Sequence, residues 1–174
     1  MILDLNKDLD KLKDIHAGDV IELTGTIYTA RDAAHMRIES MLNNNEELPV
    51  DLNNAFIYYA GPTPTKPGNV IGSIGPTTSS RMDKFAYMMP KLNVKATIGK
   101  GPRSNECTKE YIDNKILYFI TTGGCGALLS KAVKEAKEIA FFDLGPESIK
   151  KLKVEGFKMT CAIDYYGNNI FEGK

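Results

Sequence analysis

Three cations stand where a short loop opens a helix or closes a strand. Arg31 follows Thr29 and Ala30, Arg81 follows Gly75-Pro76-Thr77-Thr78-Ser79-Ser80, and Lys100 lies between Gly99 and Gly101. In an open α/β sheet, ligands gather where strands end and helices begin, because loop backbones and free helix N–H groups converge there. Taken singly, each feature has a plain reading: Thr29, Ser79 and Ser80 as helix caps, and a lone surface Arg or Lys as a solvated charge. Together, hydroxyls, free N–H groups and a guanidinium at one helix start make an anion site. An Arg fork holds a carboxylate at roughly 1.5–3 kcal/mol per charge-assisted bond. Two or three such turns suit a small dicarboxylate.

Other chemistries find less support. The pattern G-x-x-x-x-G-K-[ST] is absent, and neither Gly99-Lys100-Gly101 nor Gly123-Gly124-Cys125-Gly126 completes G-x-G-x-x-G. His16 and His35 are the two histidines. His35 falls four residues after Arg31 on the same helix face, which makes it either a neighbour of the anion site or a core histidine. Cys107, Cys125 and Cys161 are an odd count without C-x-x-C, a pattern that supports neither a disulfide framework nor a self-contained zinc or cluster site. Cys125, at a glycine-rich helix start, is the cysteine kept as a site candidate.

Positioning these residues requires an alternation of strands and helices. A short amphipathic turn over 8–13 precedes a strand over 20–28 that ends at Thr29, where Thr29 and Asp32 form a capping pair for a helix bearing Ala34, Ile38, Met41 and Leu42. A strand over 55–60 leads through a Gly/Pro-rich passage to a second helix. That helix is capped by Ser80 and Asp83, carries Met82, Phe85, Ala86 and Met89, and ends near Pro90. Strands follow over 95–99 and 116–121. Gly123 to Gly126 opens a helix with Cys125, Leu128, Leu129, Ala132, Val133 and Ala136 on one stripe. A short strand over 139–142, a short helix over 147–152 and a last strand over 157–163 complete the order. Lys150, Lys151 and Lys153 between Glu147 and Glu155 then read as a solvated helix face. This alternation predicts an α/β layered domain with a mainly parallel sheet.

The chain has 174 residues, 43% of them hydrophobic and 25% charged, which fits a single folded domain over 1–174 and excludes a largely disordered chain. Lys plus Arg equal Asp plus Glu at 22 each, so the total charge sets up no field for nucleic acid. No run approaches the ~18 apolar residues of a membrane span, and the first residues lack a signal-peptide pattern, so a soluble, cytoplasmic protein with no membrane partner is expected.

The segments Gly25-Thr26-Ile27-Tyr28-Thr29-Ala30-Arg31-Asp32-Ala33-Ala34-His35, Tyr59-Ala60-Gly61-Pro62, Gly75-Pro76-Thr77-Thr78-Ser79-Ser80-Arg81-Met82-Asp83 and Gly99-Lys100-Gly101 resemble the beta subunit of iron–sulfur (class I) fumarate hydratase and L-tartrate dehydratase. So do the closing segments Leu144-Gly145-Pro146-Glu147-Ser148-Ile149 and Ala162-Ile163-Asp164-Tyr165-Tyr166-Gly167-Asn168. The match runs in order over nearly the whole chain. It departs at Ser80, where the family has glycine, and at Asp143, where a glutamate often precedes Leu-Gly.

The resemblance implies a swivelling β/β/α layered domain. It further implies a partner alpha subunit that carries a [4Fe–4S] cluster, none bound by this chain alone, in a heterotetramer of two alpha and two beta subunits. The implied activity is reversible hydration of fumarate to (S)-malate, with L-tartrate dehydration and a non-catalytic small-anion binding domain as alternatives. By motif position Arg31, Arg81 and Lys100 would bind substrate carboxylates and Thr77 would be the catalytic base. His35, Thr78 and Cys125 would line the site, with no metal ligand in this chain.

Overall fold

The computed structural model describes residues 1–122 and 124–172. Its seven strands form one sheet in the order β1-β2-β3-β4-β5-β7-β6. β1 (Ile2–Asp4), β2 (Val20–Thr29), β3 (Phe56–Tyr58), β4 (Ala96–Gly99) and β5 (Leu117–Ile120) run parallel, each paired with the next. β6 (Val133–Ala140) and the 15-residue β7 (Ile149–Ile163) follow, β7 being antiparallel to β2, β5 and β6. Thr160 pairs with both Val20 and Ile120, so β7 uses one edge for β2 and the other for β5, and β2, β3, β4, β5 and β7 close into a ring.

Period-2 alternation then splits the side chains between two cores. Ile21, Leu23 and Ile27 of β2, Phe56 and Tyr58 of β3, Ile98 of β4 and Phe119 of β5 share one buried cluster inside the ring. The residues between them, among them Ile57 and Tyr118, join a second cluster with Ala34 and Ile38 of α1 (Asp32–Asn43) and Cys107 and Tyr111 of α3 (Asn105–Asp113). Each large apolar side chain so buried contributes about 1.5–3 kcal/mol. The result is two β layers and one α layer, a layered α/β fold as the sequence predicts.

Several elements differ from the sequence reading. Thr29 does not cap α1: its hydroxyl is buried, donates to the Ser148 carbonyl at 3.4 Å and accepts from Lys150 N–H at 3.1 Å, which ties the end of β2 to the start of β7. The expected second helix is a 3-10 helix, Ser79–Phe85, followed by a one-turn α2, Met88–Lys91. Ser80 and Asp83 do not form its cap; Asp83 instead holds Arg103 and Ser104. The helix expected from Gly123 onward is α4, Gly126–Ala132, and Gly123 itself lies outside the described residues. From Val133 the chain is strand β6, and Leu128 on the expected apolar stripe is exposed. The helix expected over 147–152 is a 3-10 helix, Phe142–Glu147, and then β7, so Lys150, Lys151 and Lys153 lie on a strand. α3 had no sequence-based expectation; Ser104 caps it, accepting from Cys107 N–H.

Candidate active site

The register brings the C-terminal ends of the parallel strands together, because Thr29 pairs with Tyr58, Tyr58 with Ile98, and Gly99 with Ile120. Loops leaving these ends carry the candidate residues. Arg31, two residues past β2, precedes α1 in extended backbone. Its Nε lies 3.3 Å from Glu147 Oε1 and its Nη2 3.7 Å from Asp32 Oδ2. Arg81, in the 3-10 helix after β3, donates from Nε to Asp32 Oδ1 at 2.9 Å. Asp32 therefore bridges two guanidinium groups that are 49 or more positions from some of their partners in sequence. Gly61 lets Arg31 lie flat: a Cβ there would stand 3.3 Å from Arg31 Cδ and 2.9 Å from the Pro146 carbonyl.

This ion cluster is incompletely bonded. Arg31 Nε and Asp32 Oδ2 are buried without a hydrogen-bond partner, since the 3.3 and 3.7 Å contacts are ion pairs rather than aligned hydrogen bonds. Arg81 is half exposed, and the hydrogen bonds of the described residues use only its Nε. Arg81 thus keeps Nη1 and Nη2 without a hydrogen bond among the described residues, and Arg31 beside it keeps a buried, unpaired Nε.

Lys100 stands outside the ion cluster but shares its scaffold. Its backbone forms a parallel bridge with Thr78; its N–H donates to Ser79 Oγ at 3.0 Å and its carbonyl accepts from Ser79 N–H at 3.0 Å. Ser79 begins the same 3-10 helix that carries Arg81. Gly99 makes this possible, because a Cβ there would stand 1.9 Å from Ser79 Oγ. Thr77 is half-buried, its N–H donating to the Tyr59 carbonyl at 2.6 Å, and Thr78 is exposed. Cys125 is half-buried before α4, where the next residue, Gly126, accepts from Ile74 N–H and packs on Gly75, bringing the Gly75-Pro76-Thr77 loop to that turn.

His35 is fully buried beneath this edge, against the rings of Tyr59 and Phe85 at 5.5 and 5.4 Å. Its Nδ1 lies 2.8 Å from the Arg31 carbonyl, which can only accept, so Nδ1 carries the proton and Nε2 is a bare acceptor without a partner. Burial pushes its pKa down to about 4, opposed by that hydrogen bond. At neutral pH it braces the start of α1 as a neutral ring and adds no charge for a substrate. The two cavities described in the chain, of about 690 and 290 Å³, contain none of Arg31, Arg81, Lys100 and Thr77. Arg81 is the more exposed of the two arginines, its side chain 54% exposed against 24% for Arg31.

Asp32 as a bridge, Glu147 and Arg103 escape the reading of local spacing. The run Leu144-Gly145-Pro146-Glu147 carries the signal for Glu147, since a tight turn just ahead of a strand can deliver an acid to the edge where β2 ends. Asp143, one of the two departures noted above, takes a two-pronged ion pair from Arg37 at 2.6 and 2.8 Å, so an acid serves at that position.

Residues 1–174 match the family model described as "Fumarase C-terminus". The chain belongs to that family. Among its relatives, "Putative L(+)-tartrate dehydratase subunit beta" of Methanocaldococcus jannaschii is 45% identical over 172 residues, covering 95% of this chain and 87% of the relative. "L(+)-tartrate dehydratase subunit beta" of Escherichia coli K12 is 37% identical over 169 residues, covering 92% and 81%. "Fumarate hydratase 2" of Leishmania major is 35% identical over 175 residues, covering 97% of this chain but 31% of the relative. The chain thus spans most of the relatives named as beta subunits and about a third of the longer one named fumarate hydratase.

An iron–sulfur cluster needs several deprotonated cysteines converging on one point. Cys107 and Cys161 are buried in different cores, and burial pushes both thiols up to about 12, disfavouring the thiolate a metal needs. Cys125 is half-buried at the edge. The three do not converge, and among the described residues no group of three His, Cys, Asp or Glu side chains is placed to hold a metal. The donor set of this chain does not fit an iron–sulfur cluster.

Proposed function

We propose that this chain, as one domain over residues 1–174, is the beta subunit of a hydro-lyase that hydrates fumarate reversibly to (S)-malate, and that it contributes the carboxylate-binding half of a site completed by an alpha subunit. The observation that carries this reading is the Arg31–Asp32–Arg81 cluster at the strand ends, with Lys100 held on the same scaffold. Two arginines and a lysine against Asp32 and Glu147 leave a net positive charge, and the unpaired donors suit a doubly charged substrate covered by a second chain. The [4Fe–4S] cluster belongs to that alpha subunit, the assembly is a heterotetramer of two alpha and two beta subunits, and its location is the cytoplasm. Among the described residues no helix is long and apolar enough to cross a membrane.

Within this chain the chemistry follows from charge. In the dehydration direction a proton leaves the carbon next to a carboxylate, and negative charge grows onto that carboxylate. Guanidinium and ammonium groups fixed around it stabilise the transition state more than the ground state. Arg31, Arg81 and Lys100 take that part. Thr77, on the loop leading to Arg81, is the candidate base; an alcohol becomes competent when neighbouring cations favour its alkoxide.

A second reading, dehydration of L-tartrate, is favoured by one observation: the relatives of comparable length are named for that substrate. The test is Arg81→Lys in the complex reconstituted with the alpha subunit and assayed with fumarate and with L-tartrate. Replacing a planar fork by a point charge loses two-pronged carboxylate recognition, so kcat/KM should fall ~10- to 100-fold while the melting temperature stays near wild type. Unchanged kinetics with both substrates would remove Arg81 from the site, and the wild-type preference assigns the substrate.

A further inference from the structure

The most unusual buried group of the chain is not at these strand ends but behind them. The Arg103 side chain is fully buried, and an arginine keeps its charge at any attainable pH. It lies between three tyrosine rings, with its guanidinium carbon 5.4 Å from the centre of Tyr59 and 4.9 Å from those of Tyr111 and Tyr118. Nε donates to Asp83 Oδ1 at 2.5 Å, and the other oxygen of Asp83 accepts from Ser104 N–H at 2.7 Å. Nη2 is buried without a partner. Burying a charge and leaving one of its donors unpaired is costly, and an apolar side chain of similar volume commonly packs at least as well. Core stability is therefore a poor account of an arginine at this position.

Its contacts lead instead to two of the three loops of the candidate site, the one that carries Thr77 and Arg81 and the one that carries Lys100. Asp83 sits two residues after Arg81 in the Ser79–Phe85 helix, so the Arg103–Asp83 pair fixes the segment that aims Arg81. Tyr118, stacked on the guanidinium, has its hydroxyl oxygen 2.8 Å from Ser79 Oγ and 2.7 Å from the Gly101 carbonyl. The carbonyl can only accept, so the phenol proton goes there and the Ser79 hydroxyl donates to Tyr118, leaving Ser79 Oγ to accept from Lys100 N–H. Tyr59, the third ring, accepts Thr77 N–H at its carbonyl. One rigid planar cation thus touches the anchors of Arg81, Lys100 and Thr77 at once.

We propose that Arg103 is a positioning residue that sets the mutual geometry of Arg81 and Lys100 through Asp83 and the Tyr118–Ser79 pair. The inference rests on the functional reading above for Arg81 and Lys100. It is tested by a double-mutant cycle in the reconstituted complex with Arg103→Lys, Arg81→Lys and the double variant. Each is measured for kcat/KM with the preferred dicarboxylate and for inhibition by succinate, which occupies a dicarboxylate site without reacting, and each is melted.

Lysine keeps the charge but not the planar fork. A displacement of the cations by a fraction of an ångström to 1 Å should lower kcat/KM by up to ~10²-fold and weaken succinate in parallel. The double variant should fall within about threefold of the worse single variant, because groups acting as one unit are not additive. A merely structural arginine gives losses that multiply, or a lowered melt with unchanged succinate affinity, and either result overturns the proposal. If Arg103→Lys does not fold, Asp83→Asn cuts the same link from the other side and takes its place in the cycle under the same criteria. Normal kinetics for Arg81→Lys alone would remove Arg81 from the site and with it the reading on which this inference rests, an outcome distinct from normal kinetics for Arg103→Lys beside an impaired Arg81→Lys, which overturns the inference alone.

Discussion

Thr77 separates chemistry from binding at the scale of single residues. Thr77→Val preserves shape and removes the hydroxyl, and the Thr77 N–H bond to the Tyr59 carbonyl does not depend on the side chain. If the hydroxyl moves the proton, kcat should fall ~10²–10⁴-fold with succinate inhibition unchanged. Near-normal kcat would send the search for a base to the alpha subunit. His35 supports a second prediction, in pH. Its folded pKa of about 4 lies below the ordinary 6.5, so between those values the unfolded chain binds more protons and stability falls as pH falls. The full contribution is present above pH ~6.5, and roughly 3 kcal/mol is lost by pH ~4. Urea melts of wild type and His35→Gln across pH 4–7 should show the slope flattening in the variant; equal slopes would show that His35 does not titrate on unfolding. The candidate cations stand out in the sequence because each follows a hydroxyl or a glycine where an element ends, Thr29 near Arg31, Thr77 to Ser80 before Arg81 and Gly99 before Lys100. Their partners were not, since Glu147 reaches Arg31 and Asp32 reaches Arg81 only through the fold.

At the scale of elements, the segments read correctly are those with clear apolar patterns, the alternation along β2 and the continuous run Ile116-Leu117-Tyr118-Phe119-Ile120 at β5. The misread ones are rich in helix formers. Val133-Lys134-Glu135-Ala136-Lys137-Glu138 has helical propensity, yet it forms an edge strand because β7 offers an unpaired backbone and opposite charges across the ladder. Lys153 meets Glu135 at 3.0 Å and Lys150 meets Glu138 at 3.8 Å. Its alternating charges also suit an exposed edge. α3 was missed because its partner for the apolar face, the sheet under Tyr111, lies elsewhere in sequence. The element that matters most for the site is the strand end at Gly99. Gly99→Ala places a methyl 1.9 Å from Ser79 Oγ and 2.9 Å from the Tyr59 ring, so Ser79 must move and its bond to Lys100 breaks. The variant should lose about 1–3 kcal/mol of stability, and kcat/KM should fall with it. Adding Ser79→Ala makes room for the methyl and should recover part of the stability but not the kinetics, since Lys100 still lacks its anchor. A double variant as unstable as Gly99→Ala alone would mean that Ser79 is not the obstacle.

For the whole molecule, the ring of strands has two consequences: it buries Cys161 on its inner face and it leaves Cys107 outside, on the buried face of α3. The closed topology and the separation of the cysteines were not legible, because a sequence pattern shows which residues alternate but not that β7 is long enough to pair with β2, β5 and β6 together. Metal ligands must converge within a few ångströms and be deprotonated, and here a strand layer stands between two thiols that burial already disfavours as thiolates. The purified chain, given iron and sulfide under reducing, oxygen-free conditions, should therefore stay colourless and inactive with either dicarboxylate. A thiol reagent should label Cys125 in the native chain and all three cysteines only in denaturant, because Cys107 and Cys161 are nearly inaccessible. Mixing with the cluster-loaded alpha subunit should then restore hydratase activity and, if Cys125 lies at the shared face with the Gly75-Pro76-Thr77 loop, slow its labelling. A brown, cluster-bearing preparation of this chain alone would require the ring to open far enough to bring the cysteines together, and would overturn the division of labour between the two subunits.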